Sequence, residues 1–284
     1  MIEEQKDSLP VSMMCRHLGI SRSAYYASRT RPQSVRSKAN DDLITEIESI
    51  HDDSLGTYGS PRVHAELAHR GHSVGVNRVA RLMQISGIRG VIRGRFCPKT
   101  TDSDHGMKTA PNILDREFNV TTPNTVWAGD ITYIPTRTGW LYLAVVIDLY
   151  SRRVVGWSMT NHMRSELVES ALSMAIGNRS ICSGLMHHSD RGSQYASHSF
   201  QKLLRENKIR CSMSRRAECY DNAVVESFFG TLKAELVHQT TFLDQDDARQ
   251  ALHKYIEVFY NRNRRHSSIG YMTPVEFENS ATAA

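Results

Sequence analysis

No stretch of eighteen consecutive apolar residues occurs in the chain, so no segment reads as a membrane-spanning helix. The opening MIEEQKDSLP has no basic-then-apolar pattern and does not read as a secretory signal. Cysteine is sparse. The five residues Cys15, Cys97, Cys182, Cys211 and Cys219 are odd in number and lack CxxC spacing, which argues against a disulfide framework or a structural zinc site and fits a reducing cytosol. There is no internal repeat, no low-complexity tract and no heptad run suited to a leucine zipper. What is present is a chain of 284 residues, 40% hydrophobic and 23% charged, long enough for one large or two ordinary domains with a real core. Its formal charge of +5 is consistent with an anionic polymer as partner.

The first hundred residues read as short helices with sharp breaks. In VSMMCRHLGISRSAYYASR (11–29) a helix to Leu18 meets Gly19, and a second helix starts after the N-cap Ser21. That helix would expose Arg22 and Ser23 near its start while Tyr25 and Tyr26 pack or stack. A second pair follows, YGSPRVHAELAHRG (58–71), with Ser60 as N-cap and Pro61 at the first helical position, and VNRVARLMQISGIRG (76–90). Two helix-turn-helix-like units favour DNA binding over a purely structural bundle. From Ile88 to Asp104 the chain is Arg-, Lys- and Gly-rich without apolar periodicity, a basic linker. The expected domains are therefore a helical DNA-binding region 1–87, a linker 88–123 and a second domain 124–284 with a C-terminal basic helix.

After Asn124 the pattern turns to strands: 126–136, 140–150 and 153–160, rich in β-branched and aromatic residues with short connections. A helix (164–176), a strand (185–190), a helix (196–207), a strand (208–214), a helix from about Asn222 and a long helix (243–269) complete the order. This predicts an α/β fold with a mixed five-stranded sheet, an order that matches the ribonuclease-H-like fold, preceded by a small all-α helix-turn-helix region.

Within ECYDNAVVESFFGTLKAEL (218–236), Val225, Phe229, Leu232 and Leu236 make one narrow apolar stripe. Glu226 sits at its margin with Gly230 and Lys233 on the same edge. Taken alone, such a Glu reads as a solvated residue of an amphipathic helix. Two aspartates change its meaning. Asp130 lies inside an otherwise apolar strand, where an unpaired carboxylate is costly, and Asp190 ends the fourth strand, where open α/β sheets place ligands. Three carboxylates converging there repel one another unless a cation neutralises them, and hard oxygen donors suit Mg²⁺ or Mn²⁺. Two such ions about 3.5–4 Å apart suit in-line phosphoryl transfer.

Asp190 and Glu226 are separated by 35 residues, and Lys233 follows Glu226 by seven. In this spacing, and in DITYI, HSDRGSQY, YDNAVVESFFGTLK, YNRNRRHSSIGYMTP, CRHLGISRSAYY and GTYGSPRV, the chain from about residue 10 to 280 resembles the catalytic protein of two-frame bacterial insertion-sequence transposases, of the retroviral integrase superfamily. The resemblance implies a metal-dependent polynucleotidyl transferase that cleaves DNA at element ends and transfers the resulting 3′-OH, first joining one end to the other on the same strand. It assigns Asp130, Asp190 and Glu226 to catalysis and to one or, more fully, two Mg²⁺ or Mn²⁺ ions. It assigns Lys233 to the phosphate backbone, and Gly230 gives room for close approach. It also implies cytoplasmic action at the bacterial nucleoid, oligomerisation on DNA, and an upstream-frame protein or frameshift fusion supplying a zipper and the main end-recognition helices.

Further DNA contacts are expected from Arg22, Arg62, Arg78, Arg264 and Arg265, whereas Arg191 either contacts DNA or pairs with a carboxylate. Arg262 and His266 belong to the same C-terminal basic cluster, read as a DNA patch. Asp148 is expected to bond turn amides, Phe228 to sit in the core, and His187 and His188 to be one packed and one near the site, without binding metal. In RRAECYDNA, Ala217-Glu218 stand where the family usually has Gly-Asn, a change expected to alter the loop and reduce activity. The alternatives are a nuclease without strand transfer and a DNA-binding regulator with an inactive catalytic domain.

Overall fold

The computed structural model describes residues 5, 9–92, 94, 109–181, 183–215 and 219–282. Most of the expected basic linker, and the Ala217-Glu218 departure, lie outside them. The chain forms two compact units, residues 1–47 and 48–284. In the first, α1 (Val11–His17) and α2 (Arg22–Thr30) are joined by a turn in which Gly19 takes a φ of +67°. Ser21 caps α2, its Oγ accepting from the Ala24 amide at 3.1 Å. Tyr25 is buried, and exposed Tyr26 meets it edge-on. A long helix, α3 (Val35–Asp53), runs through the division.

In the second unit, α4 (Ser60–His69) and α5 (Val76–Ile85) bury Val63, Leu67, Val79, Leu82 and Met83. The N-cap of α4 is Gly59 rather than the expected Ser60, which becomes the first helical residue. The break expected after residue 87 is not where the compact units divide, because this hairpin is tied to the C-terminal segment. The Tyr58 hydroxyl donates to the Asn263 carbonyl at 3.1 Å and accepts from the Arg265 amide at 2.6 Å.

The sheet follows the expected topology. Strands β1 (Val126–Thr136), β2 (Gly139–Asp148) and β3 (Val154–Thr160) form an antiparallel meander, and β4 (Met186–Ser189) and β5 (Arg210–Met213) add parallel strands in the order β3-β2-β1-β4-β5. Asp148 holds the turn after β2, accepting from the Asn124 amide at 2.7 Å and the Tyr150 amide at 2.8 Å. On one face, α6 (Ser165–Asn178) and α7 (His198–Glu206) bury Leu167, Leu172, Phe200 and Leu204 against Trp127, Ala144, Val146 and Val155. Each such side chain contributes roughly 1.5–3 kcal/mol by leaving water.

Helix α8 (Ala223–Leu232) packs on β1 and buries Val225, Phe228, Phe229 and Leu232. It then widens into a π-helical turn, Lys233–Val237. The extra residue per turn rotates the buried stripe, so Ala234, Glu235 and Val237 go inside and Leu236 is only half-buried. Helix α9 (Gln245–Lys254) starts on Asp244, whose carboxylate accepts from the Asp246 and Asp247 amides. It continues as a π-helix, Tyr255–Asn263, and stops short of the expected 269 because Arg264 turns to extended backbone. A last helix, α10 (Pro274–Thr282), closes the chain.

Candidate active site

The parallel register of β1 and β4 places the first two carboxylates. Ala128 pairs with His188, Asp130 follows two residues later on β1, and Asp190 lies just beyond the end of β4. The third comes from α8. Asn222, immediately before that helix, donates from Nδ2 to the Gly129 carbonyl at 3.2 Å, fastening the helix start one residue from Asp130. Gly129 itself is required: a Cβ there would stand 2.8 Å from the His187 ring nitrogen.

The charges of the other two carboxylates are felt at Asp130. Burial pushes the Asp130 carboxyl well above its usual range; the Asp190 charge pushes the same way, as does Glu226, while the Ile131 amide and Lys233 oppose them. The Asp130 Oδ1 accepts from the Ile131 amide at 2.7 Å and the Asp190 Oδ1 from the Gly192 amide at 2.9 Å. A Cβ at Gly192 would stand 2.9 Å from the Gln194 side-chain oxygen and 3.1 Å from that same Asp190 oxygen, so a side chain there would crowd both. Asp130, Asp190, Met163, Gln194 and Tyr195 line a small cleft of about 130 Å³, far below a small-molecule pocket and suited to the edge of a long polymer. All three carboxylates offer only hard oxygen donors, the set that fits Mg²⁺ or Mn²⁺. Among the described residues, no three His, Cys, Asp or Glu side chains are drawn into a metal-holding cluster. Lys233 opens the π-helical turn, its Nζ 4.9 Å from the centre of the Tyr133 ring. Burial lowers its pKa and Asp130 raises it.

The arginines fare differently. Arg22 is exposed at the start of α2, and Arg78 is half-buried near the start of α5. Arg191 donates from Nε to the Ser214 carbonyl at 2.7 Å, turning toward β5. Arg264 and Arg265 are not a DNA patch. Arg264, only 4% exposed, holds Glu235 through Nη2 at 2.6 Å and Nε at 2.8 Å. Arg265 binds Glu66 at 2.7 Å and Glu276 at 3.1 Å. Arg62 donates to the Arg265 carbonyl at 3.1 Å and lies 3.9 Å from Glu235. Arg264 and Arg265 are thus paired inside the protein, Arg264 with buried Glu235, which the Tyr255 hydroxyl also bonds at 2.8 Å, and Arg265 with Glu66 and Glu276, while Arg62 is half-buried beside them. His266 is buried too, edge-on to Tyr260, and only Arg262 of the cluster is exposed.

Both histidines after Leu185 are interior. His187 packs against Phe200 and Tyr195, burial pulling its pKa down to about 3; His188 bonds Ser212 and Ser214, burial lowering it to about 4. His187 lies beside the cleft, against its lining residue Tyr195, and His188 is packed under β5. Two functional supports were missed: Glu235, and Asp221 in the YDN run. Fully buried Asp221 accepts from Arg215, Arg116 (3.0 Å) and Asn112 (2.9 Å), clamping the segment that launches α8. Burial works to raise its pKa, but these donors hold it well below the carboxylate range. The apolar flanks of Glu235 in KAELV were the available signal.

Beyond this five-stranded mixed sheet, likeness to known proteins makes the chain a polynucleotidyl transferase of the integrase-core class. Models of that class match residues 120–219 and 207–274, described in both cases as an integrase core domain, and an HTH-like domain matches 38–96. A protein of insertion element IS600 from Shigella sonnei is 42% identical over 93% of this chain and 97% of its own length. The transposase InsF for insertion sequence IS3A of Escherichia coli K12 is 40% identical over 99% and 98%. The catalytic core of HTLV-2 integrase, solved in complex with magnesium, is 22% identical over 55% of this chain and 97% of that chain, with a TM-score of 0.41. This chain belongs to the IS3-type family of insertion-sequence transposases.

Proposed function

We propose that Asp130, Asp190 and Glu226 form the centre at which this transposase cleaves and joins DNA strands at the ends of its element. The carrying observation is that Asp130 on β1 and Asp190 just beyond the neighbouring parallel strand β4 line one cleft. A divalent cation, Mg²⁺ or Mn²⁺ and in the fuller reading two, held by these carboxylates supplies Lewis-acid polarisation of the phosphate oxygens. The chain's own groups then divide the work. The Gly192 and Ile131 amides fix the aspartates, Asn222 and Asp221 fix the start of α8, and Lys233 draws the phosphate backbone alongside Asp130. In strand transfer the attacking 3′-hydroxyl gives its proton to solvent as its oxygen bonds to phosphorus, the bond from phosphorus to the displaced 3′ oxygen breaks, and that oxygen takes a proton from solvent to leave as a new 3′-hydroxyl.

The partners follow from the same reading: element ends and target DNA, further copies of the chain assembled on DNA, and an upstream-frame product supplying the zipper that the sequence lacks. The place of action is the bacterial nucleoid, and among the described residues no helix is long and apolar enough to cross a membrane. The test is strand transfer by the chain, alone and as the fusion with the upstream frame, on terminal duplexes of its element. Joined products lost on Asp190→Asn support the reading. Cut ends without joined products indicate a nuclease. Binding without cleavage by either form indicates a regulator.

A further inference from the structure

Trp140 begins the second strand of the β1–β2 hairpin and is 50% exposed, although indole is among the costliest surfaces to leave in water. Exposed Pro135 stands across the hairpin from it, and Leu243, 59% exposed, belongs to the segment whose Phe242 and Gln245 bond the hairpin. Its hairpin neighbours Pro135, Arg137, Thr138 and Gly139 are all exposed, and Arg137 adds a positive charge. Its ring meets Tyr133 edge-on, 4.9 Å between centres and 89° between planes. Tyr133 in turn holds the Lys233 ammonium 4.9 Å from its own centre and lines the cleft with Asp130 and Asp190. A row therefore runs from the cleft-lining carboxylates past the Lys233 cation to two aromatic rings, the last half exposed.

We propose that Trp140, supported by Tyr133, is a stacking platform for an unpaired nucleobase at the end of the DNA strand whose phosphate Lys233 binds. A nucleic acid presents this pattern in its own chemistry, an anionic phosphate beside a flat π-surface, and aromatic stacking accepts any base. An apolar protein partner matches it less well, because the cations Lys233 and Arg137 stand beside the aromatic pair. The platform frees the terminal phosphodiester from the duplex so that it reaches the narrow cleft. Unstacking is repaid by the indole face. The inference rests on the strand-transfer reading for the identity of the DNA, and it adds the residue that separates the end from its complement.

The test uses a duplex of the element's terminal sequence with 2-aminopurine at successive positions of the transferred strand. Binding of the wild-type chain is expected to raise the fluorescence at one terminal position, with Trp140→Phe retaining the rise and Trp140→Ala losing it. Joining by Trp140→Ala should fall roughly tenfold to a hundredfold on the paired duplex. It should recover on a duplex whose last pair is already mismatched, a rescue that a folding defect does not give. A fluorescence rise equal in Trp140→Ala, or equal loss on paired and mismatched ends, overturns the platform. Joining by the wild type without any rise sinks the platform and leaves strand transfer standing. A rise without joining does the reverse, and neither signal overturns both.

Discussion

The Lys233 ammonium lies 4.9 Å from the centre of the Tyr133 ring, while its charge is felt by Asp130. The contact selects one direction for a flexible side chain, toward the carboxylates. Replacing Lys233 with Ala should weaken binding of all DNA sequences alike and lower the slope of log affinity against log salt by about one. Titrations of matched and unrelated duplexes at several salt concentrations check this. An unchanged slope would remove Lys233 from the phosphate contacts.

Glu235 and Arg264 are partners inside the protein, bound through two contacts of 2.6 and 2.8 Å. Breaking the pair with Glu235→Leu or Arg264→Met alone should cost about 3–5 kcal/mol, because each leaves a buried charge without its partner. The double variant should recover most of that loss and bind DNA as the wild type does. Denaturant melts and binding titrations of the three variants decide it. If Arg264→Met lost DNA affinity while keeping its stability, the arginine would be a phosphate ligand after all.

How much of this was legible in the sequence depends on what each signal reports. Strand order and the places of Asp130, Asp190 and Glu226 could be read, because apolar runs and turn residues act locally and the carboxylates interrupt them. The fate of Arg264 and Arg265 could not. A basic cluster after a helix has the same composition whether it faces phosphate or a buried Glu235 29 residues earlier, and only tertiary packing separates the two. The rotated stripe of α8 was hidden for a related reason. A 3.6-residue period assumes an unbroken α-helix, and the π-helical turn at Lys233–Val237 breaks it.

Asp221 should behave as a positioning residue. Asp221→Asn removes the charge that Arg116 and Arg215 share, with an expected cost of about 3 kcal/mol and a fall in Tm of roughly 10 °C. At a temperature where the variant is fully folded, joining should still be reduced, since the α8 start carrying Glu226 is loosened. Activity equal to wild type under those conditions would confine Asp221 to stability.

His266 sets a pH dependence. Burial, and then the nearby Arg264 charge, hold its pKa well below 6.5, so the folded protein keeps it neutral. In the unfolded chain it takes up a proton as pH falls through about 6.5, and the unfolded state gains protons that the folded state does not. Stability is therefore present above that pH and is lost progressively below it. The buried His187, at about 3, and His188, at about 4, add the same sign. Thermal melts from pH 7.5 down to about 5 should show Tm falling, with a shallower slope in His266→Gln. A slope unchanged in the variant would show that His266 titrates alike in both states.

The central measurement is strand joining on element-end duplexes carrying a preformed 3′-OH, in Mg²⁺, Mn²⁺ and EDTA, for the chain and its upstream fusion. Joining is expected in either metal and absent in EDTA. Asp130→Asn, Asp190→Asn and Glu226→Gln should each lower it by several kcal/mol of barrier, on the order of a thousandfold, without loss of folding. Joining that survives in any one of the three variants would contradict the assignment of that carboxylate to the reaction centre.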